Sequence, residues 1–170
     1  MSDFAFNIPK NNFQDWQLEL AETLLKNFNI DDHNLVDILH DFQATFGYID
    51  KTLIPLLAKF FNLSNAEVHG VVSFYHDFRS TKPASYVLKI CQAESCQAMG
   101  SELLTTELKT ALDIDFHETN IAADITLEPV YCLGNCSCSP NLMINSQIIS
   151  RLNSGKLKLI LQNLKAAQND

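Results

Sequence analysis

The sequence predicts an α+β chain, with a four-helix module over residues 1–80 followed by a small sheet-and-helix domain over residues 81–170. Three observations carry this reading. Apolar residues recur at helical spacing through the first half. After "RSTKPAS" (residues 79–85), a stretch rich in turn formers, the period changes to strand-like alternation. Two of the alternating segments end on a cysteine.

The first helix is read from Trp16, Leu20, Ala21, Leu24, Leu25 and Phe28. The second is read from Leu35, Ile38, Leu39, Phe42 and Phe46, with Asp31 or Asp32 expected to cap its start and Gly47 to supply a left-handed stop. Residues 50–61 make a third, shorter helix with Pro55 in its first turn. In the fourth, Ser64 and Glu67 form an S-x-x-E capping box, and Val68, Val71, Val72, Tyr75 and Phe78 follow on one face. Beyond the linker, "YVLKIC" (residues 86–91) alternates as a strand. Residues 101–112 form a helix with Leu104, Leu108 and Ala111 inward. "ITLEPVYC" (residues 125–132) is a second strand, and "NLMINSQIIS" reads as two short strands about a turn at Asn145-Ser146. Residues 156–167 close the chain as a helix with Leu157, Ile160, Leu161 and Leu164 inward. The order strand, helix, strand, hairpin, helix gives a small sheet with helices against it, a layout that thioredoxin-like folds share.

Composition bounds the function. With 46% apolar and 19% charged residues in 170, the chain is globular and can bury a core. A net charge of −8 without any basic run argues against a nucleic-acid partner. The start "MSDFAFNIPKNNFQDW" lacks the apolar core of a signal peptide, and no segment has the length of a membrane span. The expected compartment is therefore the cytoplasm, where clustered cysteines serve as metal ligands or redox groups more often than as structural disulfides.

Four of the five cysteines fall into two pairs, Cys91-x4-Cys96 and Cys132-x3-Cys136, each beginning where a strand runs out. Neighbouring strands of one sheet would bring the two loops together, offering four thiolates to one site. Iron–sulfur clusters need such a set, because soft thiolates match iron–sulfide chemistry. Gly100 and Gly134 would let backbone approach closely, and the small Ser95, Ala98, Ser137 and Ser139 would leave amide N–H groups free to point at sulfur. Structural zinc and a thioredoxin-type disulfide both favour C-x2-C, which neither pair has. A Rieske centre would need two histidine ligands in motifs that are absent. Burial of all five as small hydrophobes fits the clustering poorly.

The segments "EVHGVVSFYHDFR", "VLKICQAESCQAMG" and "TLEPVYCLGNCSCSP" resemble the thioredoxin-like [2Fe–2S] ferredoxin subunit family. It includes the 24-kDa subunit of respiratory NADH:quinone oxidoreductase, its counterpart in NAD-linked hydrogenases, and the gamma subunit of soluble NAD-dependent formate dehydrogenases. The resemblance runs over about residues 13–164, and the wording "CQAESCQAMG" with "VHGVVSFYHDF" looks most like the formate dehydrogenase gamma subunit. It implies a helical module on a thioredoxin-like [2Fe–2S] domain, with Cys91, Cys96, Cys132 and Cys136 as the iron ligands. It also implies docking against a flavoprotein subunit that carries FMN, the NAD site and a [4Fe–4S] cluster, with a molybdenum formate dehydrogenase catalytic subunit in the same complex. In that role a one-electron cluster stands beside a flavin that takes the two electrons of a hydride. Cys138 departs from the family pattern, as does "NIAADITLEP", where many relatives have an Asp-Gly turn.

On this reading Cys138 is a small, partly buried non-ligand, and the free face of the residue 64–78 helix meets the flavoprotein. His69 and His76, seven apart on that helix, are better explained by packing or partner contact than by metal, since a helical ligand pair uses four-residue spacing. His33, His40 and His117 read as surface or capping residues. No paired carboxylates mark acid–base catalysis, and no Gly-rich phosphate loop follows a strand, so neither substrate nor nucleotide is expected on this chain. The same-class alternatives are the equivalent subunits of respiratory NADH dehydrogenase and NAD-linked hydrogenase. A freestanding thiol oxidoreductase or iron–sulfur module is the alternative of another class.

Overall fold

A computed structural model describes residues 8–167 and divides them into two compact units, Asn12–Pro83 and a second that joins residues 8–11 to everything from Ala84 onward. Residues 1–7, the first part of the stretch on which the expected absence of a signal peptide rests, lie outside the described residues.

The first unit holds the four expected helices, α1 (Leu18–Leu25), α2 (Leu35–Phe46), α3 (Leu53–Phe61) and α4 (Asn65–Phe74). Their apolar faces meet in one core around Ala21, Ile38, Leu39, Phe42, Phe46, Leu53, Leu57 and Val68. Helix α2 is capped by Asn34, whose side chain accepts from the N–H groups of Val36 and Asp37 at 2.9 and 3.0 Å, with Asp37 completing a capping box. The expected caps, Asp31 and Asp32, lie short of the helix start. They are held in a turn by Asn29, whose Oδ1 accepts from the Asp31 N–H and whose Nδ2 donates to Asp32. Gly47 stops α2 at φ 85°, where a Cβ would come within 2.9 Å of Phe13 and Pro83. Helix α3 starts three residues later than position 50 because the Asp50 carboxylate accepts from both the N–H and hydroxyl of Thr52, forming a turn ahead of it.

Helix α4 has the predicted Ser64–Glu67 capping box but ends at Phe74, short of Phe78. The cause is Gln43, buried on α2. Its Nε2 donates to the Asp77 carbonyl and its Oε1 accepts from the Arg79 N–H, both at 2.7 Å, giving this backbone partners outside a helix. Phe78 is buried nonetheless. His76 lies beyond the helix end, so it shares no helical face with His69.

The second unit is built on a five-stranded sheet of order β2-β3-β1-β4-β5. Its elements are β1 (Tyr86–Cys91), α5 (Glu94–Ala98), α6 (Ser101–Leu112), β2 (Glu118–Asn120), β3 (Ile125–Val130), β4 (Leu142–Ile144), β5 (Gln147–Ile149) and α7 (Ser154–Ala166). β1 pairs with β3 in parallel and with β4 antiparallel. Two elements have no sequence signal strong enough to read: α5 is only five residues long, and β2 is a three-residue polar edge strand. The core joins Tyr86, Leu88, Ile90, Leu108, Ile125, Leu127, Leu142 and Ile144 to Leu157, Ile160, Leu161 and Leu164 of α7. On α6, Leu104 and Leu108 face inward as expected, but Ala111 is exposed and Leu112 takes the buried place.

The β4–β5 hairpin turns at Asn145-Ser146 as expected, with Asn145 at φ 54°. Asn145 also anchors residues 8–11 to the sheet. Its Nδ2 donates to the Pro9 carbonyl at 2.7 Å, and its Oδ1 accepts from the Asn11 side chain at 2.8 Å and from the Val87 N–H at 2.9 Å. This is why residues 8–11, expected in the helical module at 1–80, belong with the sheet. Among the described residues no helix is long and apolar enough to cross a membrane.

Candidate metal centre

Parallel pairing puts the C-terminal ends of β1 and β3 side by side. Cys91, the last residue of β1, stands opposite Val130, the last of β3, and the Gln92 N–H closes the ladder on the Val130 carbonyl at 2.7 Å. The strand expected to end on Cys132 therefore stops two residues earlier, and Cys132 opens the following loop. Cys96 sits in α5, and Cys136 begins a 3-10 turn, Cys136–Cys138.

The two loops are stitched together. Ser95 Oγ reaches the Cys136 carbonyl at 3.1 Å and Ser139 Oγ at 2.9 Å, and the Cys91 N–H donates to the Asn141 carbonyl at 3.1 Å. All five cysteines are free thiols. The sulfurs of Cys132 and Cys136 are 3.7 Å apart, those of Cys91 and Cys96 share a hydrogen bond, and Cys96 acts electrostatically on Cys136. The structure thus gathers the four predicted residues as two pairs, an inner pair that is buried and an outer pair that is exposed.

Their environments differ. Burial pushes the Cys91 thiol up. Cys96 suffers the same desolvation, yet hydrogen bonding with Ser139, Cys91 and Asn141 outweighs it and holds this thiol below its ordinary value. Cys136 is raised, chiefly by its hydrogen bond to Cys132 and by the charge there. The Gly134 N–H points at Cys132 Sγ from 3.3 Å, the amide-to-sulfur contact that small loop residues were expected to permit. Gly134 and Gly100 have positive φ and open space around the missing Cβ, so backbone conformation rather than close approach calls for glycine at both.

The donor set fits a binuclear iron–sulfur core. A tetrahedral metal with thiolate bonds of about 2.3 Å holds two sulfurs about 3.8 Å apart, close to the Cys132–Cys136 separation of 3.7 Å. Among the described residues no three His, Cys, Asp or Glu side chains converge on one ion. Cys138 is half-buried beside the site. Its N–H donates to the Asn135 carbonyl and its own carbonyl accepts from the Arg151 N–H.

Sequence reasoning missed Asn141. It is 1% exposed, with Nδ2 2.8 Å from the Asn135 carbonyl and 3.7 Å from Cys96 Sγ, and with Oδ1 accepting from Asn135 Nδ2 at 3.0 Å. The available signal was a lone asparagine opening the apolar strand "LMI" directly after the cysteine loop.

Comparison with known proteins adds the family. The sequence model described as thioredoxin-like [2Fe-2S] ferredoxin matches residues 21–165. An NADH-quinone oxidoreductase subunit of Buchnera aphidicola subsp. Baizongia pistaciae is 28% identical over 82% of this chain and 81% of its own. The HndA subunit of the NADP-reducing hydrogenase of Solidesulfovibrio fructosivorans is 27% identical over 75% of each. A solved NAD+-reducing [NiFe]-hydrogenase chain superposes with a TM-score of 0.66 at 23% identity, over 78% of this chain. The match spans only 23% of that longer chain, and it bears on the fold.

Proposed function

Since this chain belongs to the thioredoxin-like [2Fe–2S] ferredoxin family, and its cofactor is accordingly a [2Fe–2S] cluster, we propose that Cys91, Cys96, Cys132 and Cys136 hold it. The chain is then the electron-transfer subunit of a NAD-linked oxidoreductase. The observation that carries this is the pairing of the four thiols at the shared end of β1 and β3. When bound, the cluster stores and passes one electron at a time. The chain's own residues give that function a direction. Buried Cys91 and Cys96 seal the inner side from water, whereas exposed Cys132 and Cys136 leave the outer side open to a partner.

The partner is a flavoprotein subunit carrying FMN, NAD and a [4Fe–4S] cluster, and the parent complex is a soluble NAD-dependent formate dehydrogenase with a molybdenum catalytic subunit. The wording of the first cysteine loop and of α4 supports the formate dehydrogenase assignment. A second reading, a subunit of NADH dehydrogenase or of a NAD(P)-reducing hydrogenase, is favoured by the names of the relatives above. Either complex works in the cytoplasm.

Anaerobic reconstitution followed by metal and sulfide analysis tests the site, with two irons and two acid-labile sulfides per chain expected. Stoichiometric zinc without sulfide would sink the assignment. Purification from the native cell with bound neighbours tests the complex. A co-purifying molybdenum protein is expected, and nickel or quinone-reductase subunits would move the assignment to the second reading.

A further inference from the structure

We propose that Ser139 and Asn141 are positioning residues that direct two hydrogen bonds onto the Cys96 sulfur and thereby raise the reduction potential of the cluster. This rests on the assignment of Cys96 as a ligand made above. Pro140 separates the two residues, which share the segment leading into β4, and both are buried. Ser139 Oγ lies 3.5 Å and Asn141 Nδ2 3.7 Å from Cys96 Sγ.

The orientation of the Asn141 amide is fixed by its neighbour. One Nδ2 hydrogen bonds to the Asn135 main-chain carbonyl, and Oδ1 accepts from Asn135 Nδ2, which itself is bound to Ser150 Oγ. Flipping the amide would set two oxygens against each other, and two N–H donors likewise, so the second Nδ2 hydrogen stays toward Cys96. Main-chain bonding fixes the position as well, because the Asn141 carbonyl accepts from the Cys91 N–H.

Ser139 can donate for a different reason. A thiol at Cys96 donates to Ser139 Oγ, and the serine proton then serves the Cys136 carbonyl at 2.8 Å. A metal-bound thiolate has no proton and needs a donor. Ser95 Oγ also lies within reach of the Cys136 carbonyl, so it can satisfy that oxygen while the Ser139 hydroxyl turns to the sulfur. Three hydroxyl and carbonyl groups thus allow the proton to be reassigned without moving a heavy atom.

The consequence follows from charge. Reduction adds one negative charge that is shared with the ligand sulfurs, and donors to sulfur stabilise the reduced state more than the oxidised one. They act against the net charge of −8, which opposes reduction. Ser139 and Asn141 serve Cys96 of the inner pair, whereas the Gly134 amide serves Cys132 in the outer loop and the Ser137 hydroxyl lies 3.9 Å from the sulfur of Cys138, which the assignment leaves out of the ligand set.

The test is a redox titration of the reconstituted full-length chain, followed by electron paramagnetic resonance, for Ser139→Ala, Ser139→Thr, Asn141→Leu and the control Ser137→Ala. Ser139→Ala and Asn141→Leu should each keep two irons and two sulfides and lower the reduction equilibrium constant by about tenfold, which is about 59 mV for one electron. Ser139→Thr keeps the hydroxyl and should hold the wild-type potential, as should Ser137→Ala. Resonance Raman should show shifted iron–thiolate stretching modes in Ser139→Ala and Asn141→Leu only. Wild-type potential and modes in those two variants overturn the proposal. If Asn141→Leu cannot hold the cluster, the alanine and threonine variants at Ser139 decide it by their difference. Cys96→Ser, run alongside, separates the two levels: an unaltered cluster there removes the ligand assignment itself, whereas an altered cluster with unmoved potentials at Ser139 and Asn141 removes only this proposal.

Discussion

Cys138 is the thiol for which the four-ligand site leaves no place. Its residue closes the 3-10 turn, and its main chain is held on both sides, by the Asn135 carbonyl and the Arg151 N–H. Moving it onto iron would mean displacing Cys136 and breaking those bonds, while a [2Fe–2S] core needs only four protein ligands. Cys138→Ser should therefore leave the visible and paramagnetic spectra unchanged, whereas Cys136→Ser should lose the cluster or shift its signal. The reverse pattern in the reduced protein would reassign the fourth ligand. At the same scale, Asn141 is a buried amide beside the cysteines. Both side-chain polar atoms and the carbonyl of Asn141 are partnered, and its contacts reach both inner cysteines.

Helix α4 poses the question at the level of elements. Its Val68 is fully buried, but His69, Gly70, Ser73 and Phe74 are exposed, and Phe74 is 73% accessible. Among the described residues nothing explains Gly70, since a Cβ there would meet no atom within 4 Å and a glycine in a helix interior costs about 1 kcal/mol relative to alanine. A partner's close approach would explain both the bare backbone and the exposed ring, and this is the face we assign to the flavoprotein. Gly70→Ala should raise the melting temperature of the isolated chain, by up to about 1 kcal/mol of added stability, and weaken binding to the flavoprotein subunit. Unchanged binding, measured by co-purification or titration, would remove α4 from the interface.

For the whole molecule, the reading proposed above makes this chain a carrier and leaves hydride chemistry to the flavoprotein partner. The lowered carboxylates, Asp15, Glu67 and Asp115, sit in exposed ion pairs or caps. The reconstituted chain alone should therefore oxidise neither NADH nor formate, while accepting one electron per cluster from dithionite. Turnover of either substrate without an added flavin subunit would contradict the reading as a carrier. Genuine activity on thiol substrates, in a colourless protein, would favour the freestanding oxidoreductase instead.

Helix faces, strand alternation and the spacing of four cysteines were legible in the sequence because each depends on residues near one another along the chain. The inward sets of α2 and α7, the Ser64–Glu67 box, the stop at Gly47 and the turn at Asn145-Ser146 are of this kind. Where a distant or competing residue intervenes, local spacing misleads. Gln43 ends α4 from another helix, Asn29 draws Asp31 and Asp32 away from the cap of α2, and Asn145, more than a hundred positions away, binds residues 8–11 to the sheet. The same limit applies to the centre. Spacing could nominate Cys91, Cys96, Cys132 and Cys136, but only the parallel register of β1 and β3 brings the two loops together. Only the packed interior places Ser139 and Asn141 against Cys96, because a hydrogen bond between residues 96 and 141 depends on how the sheet closes and leaves no period in the sequence.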